Sequence, residues 1–414
     1  MTDRVLTPSK ITAWLDCAHY LTLKHQVETG GRAAPAQPFG SFARLLQDKG
    51  LEHEANVLAR YEREGLRVLL VDGRSTSETF ADWAHRVRPS LEVDADVLFQ
   101  MPFIHDSVRG VADFLERRNP HGAGAVRWEP VDAKLARSQA KPGHVLQLCF
   151  YAEALSALTG VPPHSLKVAL GSGADQLVSF EDVRPYWDRL RMQLRSALEA
   201  DPITTDTRPE PCDHCAFCEF QPTCEATWRD ADSLVYVAGI SAAERDSLEQ
   251  AGVATMAELA VRSEPVAGIR VERLARLRQQ ASLQVLAGQH PEDKPPFVLI
   301  EPGDDPVWGH GFEQLPAPDI ADVFLDYEGH PFWRPDRGLF FLFGYLIADE
   351  TGEWRYHALW ADDEATERGR VEELIRFLTA RHRAAPGMLS AVTEFPIRCV
   401  VPSRNSLIRR HGCP

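Results

Sequence analysis

Apolar positions along this chain follow a helical period, then an alternating one, then a helical one again. Residues 9–27, SKITAWLDCAHYLTLKHQV, space their apolar side chains as an amphipathic helix, with Ser9 placed to cap it. A Gly/Ala/Pro-rich loop runs from Gly30 to Gly40, and a long helical pattern covers Phe42 to Glu64. Alternating runs at Leu66–Val71, Asp96–Met101, Val108–Glu116 and Val126–Leu135 predict strands, the last two joined by a hairpin turn at Asn119–Gly124. HVLQLCFYAEALSAL returns to helix. LKVALGS and DQLVSFEDV read as two further strands, and a helix follows near Tyr186–Leu198. Residues 1–230 thus read as one α/β unit of helix, sheet and helix.

Beyond it the period shortens. VAGISAAERDSLEQAGVATMAELA predicts two short helices around Gly252, and a third covers Val271–Leu286, making residues 231–290 a small helical unit. QHPEDKPPFVLIEPGDDP, rich in proline and acid, makes 291–319 a linker. Residues 320–385 begin a third unit, with strands in VFLDYEGHPF, LFFLFGYLI and WRYHALWA and a helix over Glu364–Ala380. From 386 to 414 no period is sustained and arginines accumulate, the character of a truncated or frame-shifted tail. No internal repeat stands out.

Totals narrow the function classes. No apolar run approaches the ~20 residues a membrane span needs, and the opening MTDRVLTPSK has no signal-like apolar region, so a cytoplasmic, membrane-free protein is expected. Thiols stay reduced there, and clustered cysteines then point to a metal rather than a disulfide. The net charge of −15 does not advertise nucleic-acid binding, but a single basic groove suffices for phosphates. No phosphate-binding G-x-x-x-x-G-K-[ST] loop occurs.

The chemistry gathers in WEPVDAKLARS. On a strand Asp132 and Lys134 point the same way, so a cation-binding carboxylate and a phosphate-facing ammonium share one face. Asp113, in RGVADFLER, lies on the neighbouring strand of the hairpin, where two carboxylates repel unless a cation lies between them. His53 sits on the long helix in KGLEHE. Gln147 and Tyr151 lie at i and i+4 on one helical face. Each feature alone also fits a solvated surface; the ordered set is more specific.

That set, with the stretches SKITAWLDC, KGLEHE, GVADFL, VDAKLAR and QLCFYAEAL, resembles the RecB-like branch of the PD-(D/E)XK nucleases, in the type often fused to a superfamily 1 helicase. The resemblance covers roughly residues 5–385. It implies a restriction-endonuclease-like α/β core in which His53, Asp113 and Asp132 bind Mg²⁺ or Mn²⁺, Lys134 is catalytic, and Gln147 and Tyr151 serve the nucleic-acid side. It implies a metal-dependent, exonuclease-like DNA nuclease of repair or recombination, acting on single strands or ends, with a separate helicase as partner. A catalytically silent nucleic-acid-binding scaffold is the alternative.

PCDHCAFCEFQPTC offers four thiols in one segment, on its own a local zinc site. The resemblance implies instead a [4Fe–4S] cluster on Cys17, Cys215, Cys218 and Cys224, leaving Cys212 spare and zinc as the alternative metal. A zinc-stabilised interaction protein is a third reading. The 231–290 unit resembles a helix–hairpin–helix-like module with Gly239 and Gly252 at its turns. Asp326 and Glu328 resemble the first acidic motif of RNase H-like exonucleases, making 320–385 a partial domain of that kind. Asp362, Asp363 and Glu364 read as helix-capping acids, so an inactive second acidic site is expected.

Overall fold

Thr7 caps the first helix: its side-chain oxygen accepts the Lys10 N–H at 3.4 Å and Pro8 takes the first helical position. Thr7, not Ser9, is therefore the cap. The single helix expected over 9–27 is two, α1 (Pro8–Asp16) and α2 (His19–Glu28), because Cys17 is extended (φ −145°, ψ 104°). The computed structural model describes residues 6–35, 41–106, 108–118, 126–199, 207–292, 294–299, 318–349, 351–385, 390–392 and 400–401. Two compact units divide the chain, 1–298 and 299–414. The hairpin turn expected at Asn119–Gly124 and most of 386–414 lie outside the described residues.

In the first unit α3 (Ser41–Arg63), β1 (Val68–Leu70), α4 (Phe80–Val87), β2 (Val97–His105), β3 (Val108–Arg117), β4 (Trp128–Lys134), α5 (Pro142–Thr159), β5 (Ser165–Leu170), β6 (Asp175–Ser179), α6 (Phe180–Glu199) and α7 (Gln221–Asp230) follow in order. The strands form one sheet in sequence order β1 to β6, with β1–β2 and β4–β5 parallel and the remaining pairs antiparallel. β6 is shorter than the alternating pattern suggested. Glu181 and Asp182 suit a helix's first turn, so α6 starts at Phe180.

Helices cover both faces. Under α3, Val57 and Tyr61 pack on Val97, Phe114, Val131 and Ala169. Under α5, buried on most of its circumference, the larger core joins Leu148, Phe150, Tyr151 and Leu155 to Leu98, Phe103, Leu115 and Val168. α4 adds Trp83 and Val87 to that core. Its eight residues carry too short a stripe to read from sequence. Among the described residues no helix is long and apolar enough to cross a membrane.

α8 (Ala242–Gln250), α9 (Met256–Val261) and α10 (Val271–Gln289) enclose their own core of Leu248, Val253, Leu259, Leu274 and Leu277. A repeat is present after all. VAGI occurs at 237–240 and again at 266–269, each copy with its glycine at positive φ (77° at Gly239, 84° at Gly268) and each leading into a helix. Val237 and Val266 enter the same core. Arg273 of α10 bridges the halves, donating to Glu244 and to the Gly239 carbonyl.

The second unit has β7 (Val323–Arg334), β8 (Arg337–Ala348), β9 (Trp354–Trp360), α11 (Glu364–Ala384), β10 (Ser390–Val392) and β11 (Val400–Val401). Its sheet runs β11-β10-β7-β8-β9, with β10 parallel to β7. Val323, Leu325, Phe343 and Leu374 form its core.

Candidate active site

β3 and β4 pair in register only as far as Phe114–Val131. β4 continues beside β5 as far as Lys134–Leu170, so β3 and β4 part over their next residues. The backbone N–H of Ala133, which the antiparallel ladder no longer satisfies, donates to Asp113 Oδ2 at 2.8 Å. A carboxylate from one strand thus closes the gap to the other, one residue beyond Asp132.

Asp132 is buried (3% exposed), and its Oδ2 lies 2.9 Å from Lys134 Nζ. That contact is an ion pair without hydrogen-bond geometry, and Oδ2 is left with no hydrogen-bond partner. Burial and the Asp132 charge hold the Asp113 carboxyl well above the ordinary carboxylate range. Burial alone would lower Lys134, but Asp132 and Asp113 outweigh it and keep the ammonium above its usual value. Asp113, Asp132 and Lys134 are therefore one electrostatic group.

The remaining expected residues are placed differently. His53 is buried on α3, and its Nε2 is 2.9 Å from the carbonyl of Ala169, the β5 partner of Ala133. That bond engages Nε2 alone; an imidazole held through one nitrogen by a carbonyl can ligate a metal through the other. Tyr151 is buried too; its hydroxyl donates to the Val111 carbonyl at 2.7 Å, and burial, then Asp132 and Asp113, push it far up. It braces β3 behind the acids rather than presenting a tip to solvent. Gln147, one turn earlier on α5, is half-buried.

Three neighbours escaped the sequence reading. The charge of Glu54, beside His53, reaches both Asp113 and Lys134. Gln100 donates to Glu54 Oε1 at 2.9 Å. His144, in the first turn of α5, is held down to about 4 by burial and then by Lys134, so it is neutral at pH 7. Only Glu54 had a sequence signal, its place in KGLEHE.

On the α3 face a second polar group occupies a cleft of about 380 Å³. Tyr61 donates to Glu116 at 2.7 Å, Lys167 bridges Glu116 and Asp175 (3.0 Å to the latter), and Arg60 reaches Asp175 at 2.9 Å. Its charges balance, and it ties α3 to β3, β5 and β6.

Among the described residues no three His, Cys, Asp or Glu side chains stand assembled around a single ion point. The donor chemistry nevertheless fits a hard divalent cation. Two carboxylates face one ammonium, and the buried one, Asp132, is held at Oδ2 only by its ion pair with that ammonium.

The cysteines converge from distant parts of the chain. Cys17, Cys215, Cys218 and Cys224 meet around Tyr20, Phe220 and Trp228. Cys212 Sγ lies 3.8 Å from Cys215 Sγ, so the spare thiol is adjacent. Burial raises Cys17 and Cys212, takes Cys218 up to about 12 and Cys224 up to about 11; Cys224 also feels Cys17, Cys215 and Cys212. Thiols crowded in this way, Cys224 buried and the others half-buried, suit a metal that would keep them deprotonated.

In the second unit Asp326 and Glu328 lie on the exposed face of β7, opposite Gly344 and Leu342. Asp363 caps α11, accepting the Thr366 N–H at 2.8 Å.

An α/β sheet with an acid pair and a lysine where its middle strands part defines a protein of nuclease fold. The chain belongs to the PD-(D/E)XK nuclease superfamily, whose family model matches residues 14–225, just over half of the 414 residues. A comparison with curated proteins gave no match.

Proposed function

We propose that the first unit is a Mg²⁺- or Mn²⁺-dependent deoxyribonuclease, exonuclease-like and of the RecB-like type, working in DNA repair or recombination. One observation carries this reading: Asp113 and Asp132, from strands that have just parted, share a buried site with Lys134. Asp113 and Asp132 would hold the cation, and His53 would join them through Nδ1, with its Nε2 held by the Ala169 carbonyl. A bound divalent ion supplies polarisation of the phosphate and a more acidic water.

The chain's own groups do the rest. Lys134, kept protonated by its acids, faces the charge that gathers on the phosphate oxygens. Tyr151 holds β3 where Asp113 leaves the ladder. His144, uncharged at neutral pH, adds no charge to compete with Lys134. Cys17, Cys215, Cys218 and Cys224 would hold a [4Fe–4S] cluster, with zinc as the second metal. Linking Cys17 to Cys224 closes a loop of roughly 200 residues, worth on the order of a few kcal/mol by analogy with disulfides. DNA is the proposed partner, and a helicase would be supplied by another chain.

A catalytically silent nucleic-acid-binding scaffold is the alternative reading. Incubation of labelled single- and double-stranded DNA with Mn²⁺, wild type beside Asp132→Ala, separates the two. Cleavage by wild type alone supports the nuclease; no cleavage by either supports the scaffold.

A further inference from the structure

Gln100 is the one non-glycine residue inside a described strand with a left-handed backbone, φ 59°. Side chains with a Cβ disfavour that region, and glutamine lacks the short side chain that lets asparagine or aspartate tolerate it. The residue sits across from Asp113. Phe99 pairs with Phe114 and Met101 with Ala112, but the intervening Gln100–Asp113 pair drops out of the ladder.

The sheet changes face at this point. Phe99 and Phe114 pack in the cluster under α3, whereas Met101 and Ala112 belong to the core under α5. Strict alternation would keep both pairs on one side. Packing does not explain the residue at the switch, because the Gln100 side chain is exposed. Its carboxamide makes one specific contact, donating to Glu54 Oε1 at 2.9 Å. Glu54 Oε2 takes no hydrogen bond among the described residues.

We propose that Gln100 is a positioning residue whose left-handed backbone aims its carboxamide at Glu54 and fixes a third carboxylate beside the Asp113–Asp132–Lys134 group. Strain held at such a point marks a conformation that its surroundings over-determine. The amide donor occupies one Glu54 oxygen and leaves the second for a cation or a water on that cation. This role rests on the nuclease reading and deepens it: a third acid, carried by α3 and tied to β2, would act on the cation that Asp113 and Asp132 hold.

Mn²⁺ binding measured by calorimetry, metal-free thermal unfolding and DNA cleavage test the proposal together. Gln100→Gly suits the left-handed backbone, so its metal-free unfolding midpoint stays at or above wild type, while its Mn²⁺ affinity falls about tenfold, as for loss of an outer-shell partner. Gln100→Asn tolerates the backbone but is one methylene short, and loses affinity similarly. Glu54→Gln loses at least as much, and Gln100→Gly combined with Glu54→Gln loses no more than Glu54→Gln alone. Wild-type affinity in Gln100→Gly, or additive losses in the double variant, overturns the proposal while leaving the nuclease reading intact. A wild type that neither binds Mn²⁺ nor cuts DNA overturns that reading and this proposal with it.

Discussion

Asp113 accepts the backbone N–H of Ala133 across the opening between two strands, so the side chain that would ligate a cation also closes the sheet. The two duties separate by substitution. Asp113→Asn keeps an oxygen for Ala133 and removes a charge that repels Asp132. It should unfold at or above the wild-type temperature without metal, yet cleave DNA at least 100-fold more slowly, about 3 kcal/mol in the barrier. Thermal unfolding and single-turnover cleavage on one preparation check both halves.

Metal-free stability should fall as pH rises. The Asp113 carboxyl titrates above its unfolded value in the folded chain, so its contribution is fully present below that unfolded value, about 4, and is lost as pH climbs through the raised native one. A divalent cation replaces the proton. Mn²⁺ should therefore raise the unfolding temperature more at pH 8 than at pH 5, with proton release on binding. Calorimetry in buffers of different ionisation enthalpy measures that release.

Glu116→Ala removes the acid shared by Tyr61 and Lys167 on the buried α3 face. It leaves Lys167 with Asp175 alone and should cost about 3 kcal/mol. Because Tyr61 is two turns along α3 from Glu54, the surviving folded fraction should also bind Mn²⁺ more weakly. Urea unfolding and calorimetry check the two effects.

The thiols offer a test independent of cleavage. Anaerobically purified protein should be brown, with iron retained in Cys212→Ser and lost in Cys218→Ser and Cys17→Ser. Stoichiometric zinc without iron would replace the cluster by the second metal. Iron analysis and the visible spectrum decide it.

Much of the sheet was legible because alternation marks a strand whose neighbours lie on either side. The closeness of Asp113 and Asp132 follows from two consecutive antiparallel strands, and the shared face of Asp132 and Lys134 from a period of two. What could not be read was set by tertiary context. Gln100 has an ordinary place in an apolar run, and only the face change of β2 and β3 forces its backbone over. His53 was legible as a helix residue near the sheet, but not its bond to Ala169, which depends on the depth at which α3 packs. Cys17 breaks a continuous helical pattern because its thiol turns toward residues some two hundred positions away. The VAGI copies make only a faint repeat in sequence, four residues recurring once, and gain weight from the left-handed glycine in each.

The central claim is that Asp113, Asp132 and Lys134 form a centre that cuts DNA rather than merely holding it. Lys134→Ala tests it most directly, with DNA binding followed by fluorescence anisotropy in Ca²⁺ and cleavage followed in Mn²⁺. Binding within about twofold of wild type with cleavage reduced at least 1000-fold, about 4 kcal/mol in the barrier, is the expected result. Cleavage at the wild-type rate by Lys134→Ala would contradict the account.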